Sequence, residues 1–319
     1  MTGARTNVVA SVLARLRNVA ESRGSSFNDI LQSYVIERFL ARLARSSYAD
    51  GVLLKGALML RVWGVSRARP TMDIDLLRRG VADQASLVQL VADCAVIEDS
   101  SDGVTFDATT ILAEAIREDT DYGGTRIRLQ ARMGNVRQTV QIDFGVGDAV
   151  HPHPKTVDYP VLLGGMPVRL NAYPVEASVA EKFHAMVDLD MQNSRMKDFY
   201  DIWVLSRTID FSGSELSEAI RLTFERRKTP LPKDVPTALT ARFCENDQHR
   251  RQWSAFARRI GEQDLAADFA QVISNLTTFL IPPVKSVAAE KVYKAQWSPK
   301  LGAWQSAEER MPHAPVNER

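Results

Sequence analysis

Cysteine is scarce in this sequence: Cys94 and Cys244 are the only two, they lie far apart, and neither has a Cys or His at metal-ligand spacing nearby. That excludes a disulfide framework and gives no sign of a zinc site. Long hydrophobic runs are missing as well. No stretch approaches the ~18 uninterrupted apolar residues of a membrane span, and the first residues carry no continuous apolar segment of the signal-peptide kind. Neither membrane insertion nor secretion is therefore expected, and the reducing cytoplasm is the expected setting. Charge of one sign is also lacking, because 40 Lys and Arg face 39 Asp and Glu, for a formal net charge of +1. Such a balance excludes a chain that is basic throughout and confines any nucleic-acid contact to local patches. There is no internal repeat, and the apolar and charged fractions of 45% and 25% are ordinary globular values, so neither disorder nor a fibrous structure is indicated.

The 319 residues suffice for two or three subdomains, since single cores stop growing near ~250–300 residues. Helical spacing of Val9, Val12, Leu13 and Leu16, and then of Ile30, Leu31, Tyr34, Val35 and Leu40, predicts two N-terminal helices. Gly24-Ser25-Ser26 divides them, and Ser26 can cap the second. From about Asp50 to Asp148 strand-like and helix-like segments alternate: Gly51–Leu54, Ala57–Trp63, Met72–Leu77 and Gln84–Cys94. A hairpin closes this region. Ile127, Leu129, Ala131 and Met133 alternate with Arg126, Arg128, Gln130 and Arg132, Gly134-Asn135 makes the turn, and Val140, Ile142 and Phe144 return. A connector with Pro152, Pro154, Pro160, Pro167 and Pro174 then leads into helical spacing from Val179 to about Val204 and from Ser214 to Leu280. Beyond Pro282-Pro283 the chain is polar but keeps Tyr293, Trp297 and Trp304, which predicts a docked tail with a loose end.

Chemistry concentrates at a few carboxylates. In the run Thr71–Leu77, alternation puts Asp73 and Asp75 on one strand face and Met72, Ile74 and Leu76 on the other. Two parallel carboxylates are hard oxygen donors suited to Mg²⁺ or Mn²⁺. Asp143, which faces away from its neighbours Ile142 and Phe144, can extend the set from an adjacent strand. An Asp-x-Asp pair by itself is more often a solvated strand face. Here Arg69 and Thr71 precede the pair, and Gly56 lies at a strand-to-helix junction whose backbone N–H groups can hold a triphosphate. Downstream, Ser178 and Glu181 read as a capping box that places Lys182 in the first turns of a helix, where it is either a phosphate-facing cation or an ordinary solvated lysine. In the next helix Asp198 and Asp201 share a face at i, i+3, as structural carboxylates or as members of the site.

At these residues the chain resembles the AbiEii/AbiGii family of nucleotidyltransferase toxins, within the DNA polymerase β-like superfamily. The likeness runs through Glu37-Arg38, Leu54-Lys55-Gly56-Ala57, Arg69-Pro70-Thr71-Met72-Asp73-Ile74-Asp75, Ile142-Asp143-Phe144-Gly145, Ala180-Glu181-Lys182 and the run from Asn193 to Asp201, in order and spacing over roughly residues 30 to 205. It implies an α+β fold: a polymerase β-like core at 47–150, a helical region at 1–46, a helical domain at 151–285 completing the active site, and a polar tail at 286–319. It implies Asp73 and Asp75 as metal ligands with Asp143 beside them, Lys182 and Asp198 in catalysis, and Lys55, Gly56, Arg69, Thr71 and Asp201 at the nucleotide, with Asp201 competing with Asp198 for the part of the essential late carboxylate. Where the superfamily often has Gly-Ser, this chain has Gly56-Ala57 and loses a hydroxyl. The implied cofactor is Mg²⁺ or Mn²⁺. The implied partners are a nucleoside triphosphate, preferably a pyrimidine one, the 3′ acceptor end of tRNA, whose extension blocks aminoacylation, and a cognate antitoxin that need not bind directly. The readings that compete with it are a small-molecule transferase of the aminoglycoside-modifying kind, a transferase acting on protein, and a catalytically silent RNA- or protein-binding module.

Overall fold

The computed structural model describes residues 2–65, 69, 71–80, 82–116 and 124–306, which fall into two compact units. The first comprises residues 1–62, 68–148 and 154–173. It opens with α1 (Thr2–Arg23) and α2 (Phe27–Arg45), and the Ser26 hydroxyl accepts the Asn28 amide at 3.2 Å, as the sequence predicts. Then follow β1 (Val52–Lys55), a 3₁₀ turn (Gly56–Leu58), α3 (Met59–Val62), β2 (Asp73–Arg78), α4 (Gln84–Ala95), β3 (Thr105–Ile116), β4 (Gly124–Met133), β5 (Val136–Val146), β6 (Lys155–Tyr159) and β7 (Val168–Ala172).

These seven strands form one sheet in the order β3-β4-β5-β2-β1-β7-β6. Pairing is mixed: β2 runs parallel to β5 and β1 to β7, while the remaining neighbours are antiparallel. The β4–β5 hairpin has the expected turn, with Met133 paired to Val136. Of its two turn residues only Gly134 takes positive φ, at 59°. The connector departs from expectation. Between its prolines lie two strands, β6 and β7, whose alternating Val168, Leu170 and Ala172 are buried against the core. Proline sits outside both strands, where its missing N–H breaks no ladder. The helix expected at Ala57–Trp63 shrinks to one 3₁₀ turn and the four residues of α3.

One sheet face is apolar. Leu54, Ile74, Leu76, Ile127, Leu129, Val140, Ile142 and Phe144 are all nearly inaccessible, with α2 and α4 packed in this unit. A buried ion pair ties α2 to the loop ahead of β3: Arg42 donates to Asp102 at 2.6 Å and to the carbonyls of Ile97 and Val104 at 2.9 and 3.1 Å.

The second unit comprises residues 63–67, 149–153 and 174–319. It contains α5 (Val175–Leu189), α6 (Met196–Ser206), β8 (Phe211–Ser212), α7 (Gly213–Arg226), α8 (Ala241–Cys244), α9 (Asp247–Arg259), α10 (Phe269–Ala288), β9 (Gln296–Ser298) and β10 (Ala303–Gln305). Two expectations are corrected here. Pro174, not Ser178, precedes the first turn of α5, so Ser178 is a buried residue inside the helix and makes no capping box with Glu181. Proline suits that position because its φ is preset and the first amides of a helix have no partner within it. And α10 runs through Pro282 and Pro283 rather than ending before them. Pro283 cannot donate to the Phe279 carbonyl four residues back, and the Trp304 indole N–H supplies that bond from β10 at 2.9 Å. The tail is docked as expected: Trp297 is buried and donates to the Ser206 carbonyl at 2.6 Å. The loose end expected after it, residues 307–319, lies outside the described residues.

Candidate functional site

In the first unit the charged residues line up by strand register. Lys55 pairs with Asp75, Asp75 with Asp143, Asp143 with Arg126 and Arg126 with Glu114, so one row crosses β1, β2, β5, β4 and β3. Residues at one level of a sheet point to one face. This face is the reverse of the apolar one, and Asp73 joins it two residues from Asp75. All of Asp73, Asp75 and Asp143 are half-buried.

Gly56 is shaped by Asp75. Its φ is +71°, in the left-handed region, and a Cβ there would overlap the Asp75 carboxylate. Glycine is thus required twice over, once for the backbone and once for the close approach. Lys55, just before it, donates to Asp148 at 2.7 Å and lies 4.9 Å from the Tyr173 ring centre. The sequence reading found Lys55 but neither of these partners. Thr71 lies at the entrance to β2, its hydroxyl 3.4 Å from the Asp73 amide. Arg69 is half-buried, while Pro70 next to it lies outside the described residues.

Asp143 is engaged. The Arg126 guanidinium binds it through two parallel bonds, Nε to Oδ1 at 2.8 Å and Nη2 to Oδ2 at 2.7 Å. Among the described residues no group of three or more His, Cys, Asp and Glu side chains forms a ready cage for a metal ion. Arg126 is the residue the sequence did not mark for this site, because its partner becomes visible only once β4 and β5 are in register. The other arginines of β4 are paired too: Arg128 with Glu114 at 2.9 Å and with Gln141 at 3.0 Å, Arg132 with Asp107 at 3.7 Å.

The second unit brings Lys182, Asp198 and Asp201 together. The Lys182 ammonium, on α5, donates to Asp198 Oδ1 and Asp201 Oδ2, both at 2.9 Å. Asp198 and Asp201 stand one turn apart on α6 and are fully buried. Arg195 closes the cluster on Asp198 Oδ2 at 2.6 Å. Burial would raise the Asp198 carboxyl, but the charges of Lys182 and Arg195 outweigh it and hold the group at about 2. Asp198 and Asp201 are therefore not alternatives in geometry, since both grip the same lysine. Arg195 was missed as a member, although it stands three residues before Asp198, at the position just ahead of the first turn of α6.

The first unit thus holds paired strand carboxylates beside a glycine turn, and the second a lysine gripped by two buried aspartates. The family model described as "Nucleotidyl transferase AbiEii toxin, Type IV TA system" matches residues 38–275; that span is well over half of the chain, and the protein belongs to this family. No curated protein matches. Two solved structures from Helicobacter pylori are similar at 13% identity and a TM-score of 0.48. One is JHP933, with 83% of this chain and 98% of that one covered. The other is described as a "putative nucleotidyltransferase", with 84% and 100% covered.

Proposed function

We propose that the chain transfers a nucleotide from a nucleoside triphosphate to the 3′ end of tRNA in a divalent-metal-dependent reaction that stops translation. The observation that carries the transfer is the row of carboxylates with Gly56 set against Asp75. Asp73 and Asp75 fit Mg²⁺ or Mn²⁺, being hard oxygen donors on one face of β2, and a Cβ at position 56 would fill the space that the Asp75 carboxylate occupies. When bound, the cation supplies Lewis-acid chemistry, polarising a phosphoryl oxygen and easing loss of the acceptor's proton.

The protein's own groups do the rest. Asp73 and Asp75 hold the cation, and Asp143 is the third candidate donor. The backbone amides after Gly56 and the side chains of Lys55, Arg69 and Thr71 orient the triphosphate. Lys182, which the family resemblance assigns to catalysis, is a cation suited to stabilising phosphate charge. Asp198 and Asp201 fix the Lys182 ammonium in place through two charge-assisted bonds of 2.9 Å. In-line phosphoryl transfer needs little covalent help from a protein, so positioning and electrostatics account for most of the rate.

The RNA acceptor is drawn from the family rather than from a cationic face. The three arginines of β4 all have carboxylate partners, so an RNA phosphate has to compete for them. Incubation with total RNA and each labelled triphosphate in turn, with and without Mg²⁺, tests the proposal. Label on the 3′ end of tRNA, from one or a few triphosphates and only with the metal, is the expected result. Label found on protein or on an aminoglycoside instead would overturn the tRNA acceptor and keep the transfer.

A further inference from the structure

Asp143 stands in register with Asp75, yet both of its carboxylate oxygens accept N–H groups of Arg126. The pair is well shielded, with 16% of the Asp143 side chain and 30% of the Arg126 side chain exposed. Bidentate pairing of arginine with carboxylate is the strongest form of this contact, since two charge-assisted bonds act in one plane. The guanidinium carries one positive charge where a divalent cation held by these carboxylates would carry two. Like charges a few ångströms apart in a half-dry site repel strongly, so both cannot be held at full strength.

Building on the metal reading of Asp73 and Asp75, we propose that Arg126 is a resident counter-ion that competes with the divalent cation for Asp143 in the nucleotide-free protein. Its place in the row sets a positive charge among three carboxylates of β2 and β5, one of which it neutralises. It follows that affinity for free cation is held down by Arg126. It follows too that the third carboxylate becomes a metal ligand only when the guanidinium is drawn to another anion, and a triphosphate is the anion this site receives. Arg126 acts here through Asp143 and is a positioning residue.

The test is Mn²⁺ binding to the nucleotide-free, full-length chain, read by the loss of the free-ion electron paramagnetic resonance signal, with melting temperatures to confirm folding. Arg126→Gln should bind Mn²⁺ about tenfold more tightly than the wild type, within the usual range for coupled sites. Arg126→Lys, which keeps the charge and loses the planar fork, should fall between them. In the double variant Arg126→Gln with Asp143→Asn the gain should vanish, because the ligand that Arg126 withholds is gone. Equal or weaker binding by Arg126→Gln would overturn the proposal, as would a gain that survives Asp143→Asn. Asp75→Asn separates this failure from that of the underlying reading: if it binds Mn²⁺ as well as the wild type, Asp75 is no metal ligand and both inferences fall.

Discussion

Gly56 shows how one residue can be fixed by two demands. Any other residue in its left-handed conformation costs about 1–2 kcal/mol, and a side chain must also push the Asp75 carboxylate aside. Gly56→Ala should therefore lower stability by at least about 1 kcal/mol and reduce nucleotide transfer by more than that stability loss explains. Chemical denaturation and a transfer assay at a temperature where the variant is folded check both parts. His184 makes a second prediction. It is buried, accepts or donates at Thr229 Oγ1 over 2.8 Å, and burial, helped by Arg227, pushes its imidazole down to about 4. Its folded value lies below its unfolded value near 6.5, so the unfolded chain takes up the proton first as pH falls. The stability that neutral His184 contributes is whole above about pH 6.5 and is lost as pH falls towards 4. His184→Gln should flatten the pH dependence of Tm across that window, and an unchanged slope would count against it. Asp198 behaves differently: its folded value of about 2 lies below the ordinary 3.8, so its contribution is complete above about pH 4 and fades only towards pH 2. At this scale Asp73 and Asp75 were legible because strict alternation around Ile74 is itself a geometric statement. Arg126 was not, because an arginine on an alternating strand looks solvated until the neighbouring strand is placed.

At the scale of elements, the long helices and the hairpin could be read from periodicity and turn chemistry, whereas short elements next to proline could not. β6 and β7 span five residues each between prolines, and only pairing across the sheet makes them strands. α10 was misread at Pro282 for a related reason. A proline pair usually stops a helix, and the indole that takes over the orphaned Phe279 carbonyl lies 25 residues further on. Trp304→Phe preserves an aromatic ring to stack on Phe279, with which Trp304 is parallel to within 2°, but removes the N–H. It should cost about 1 kcal/mol, the net worth of one hydrogen bond, seen as a lower urea midpoint with an unchanged m-value. The Arg42–Asp102 pair that anchors α2 is a larger case. Both side chains are 2% exposed, and removing one charge strands the other. Arg42→Ala should destabilise the protein by about 3–5 kcal/mol, measured by the same denaturation. Sixty residues separate these partners, and nothing local in either segment announces the other.

For the molecule as a whole, family membership and the carboxylate and lysine clusters converge on nucleotidyl transfer, while a net charge of +1 says nothing in favour of it. That class was legible from order and spacing of short motifs over much of the chain, which is a stronger signal than any single pair of aspartates. The clusters lie in separate compact units, and the central claim is that transfer depends on both. The most direct measurement is transfer of label from a nucleoside triphosphate into total RNA, compared between the wild type, Asp75→Asn and Lys182→Met, with melting temperatures recorded in parallel. Lys182→Met keeps the length of the side chain and removes its charge, so it must come with a check on folding, given the two carboxylates it leaves behind. Metal-dependent labelling by the wild type, with loss of at least about a hundredfold in each folded variant, is predicted, as expected for removal of a charge-stabilising group. Undiminished labelling by either folded variant would contradict the account.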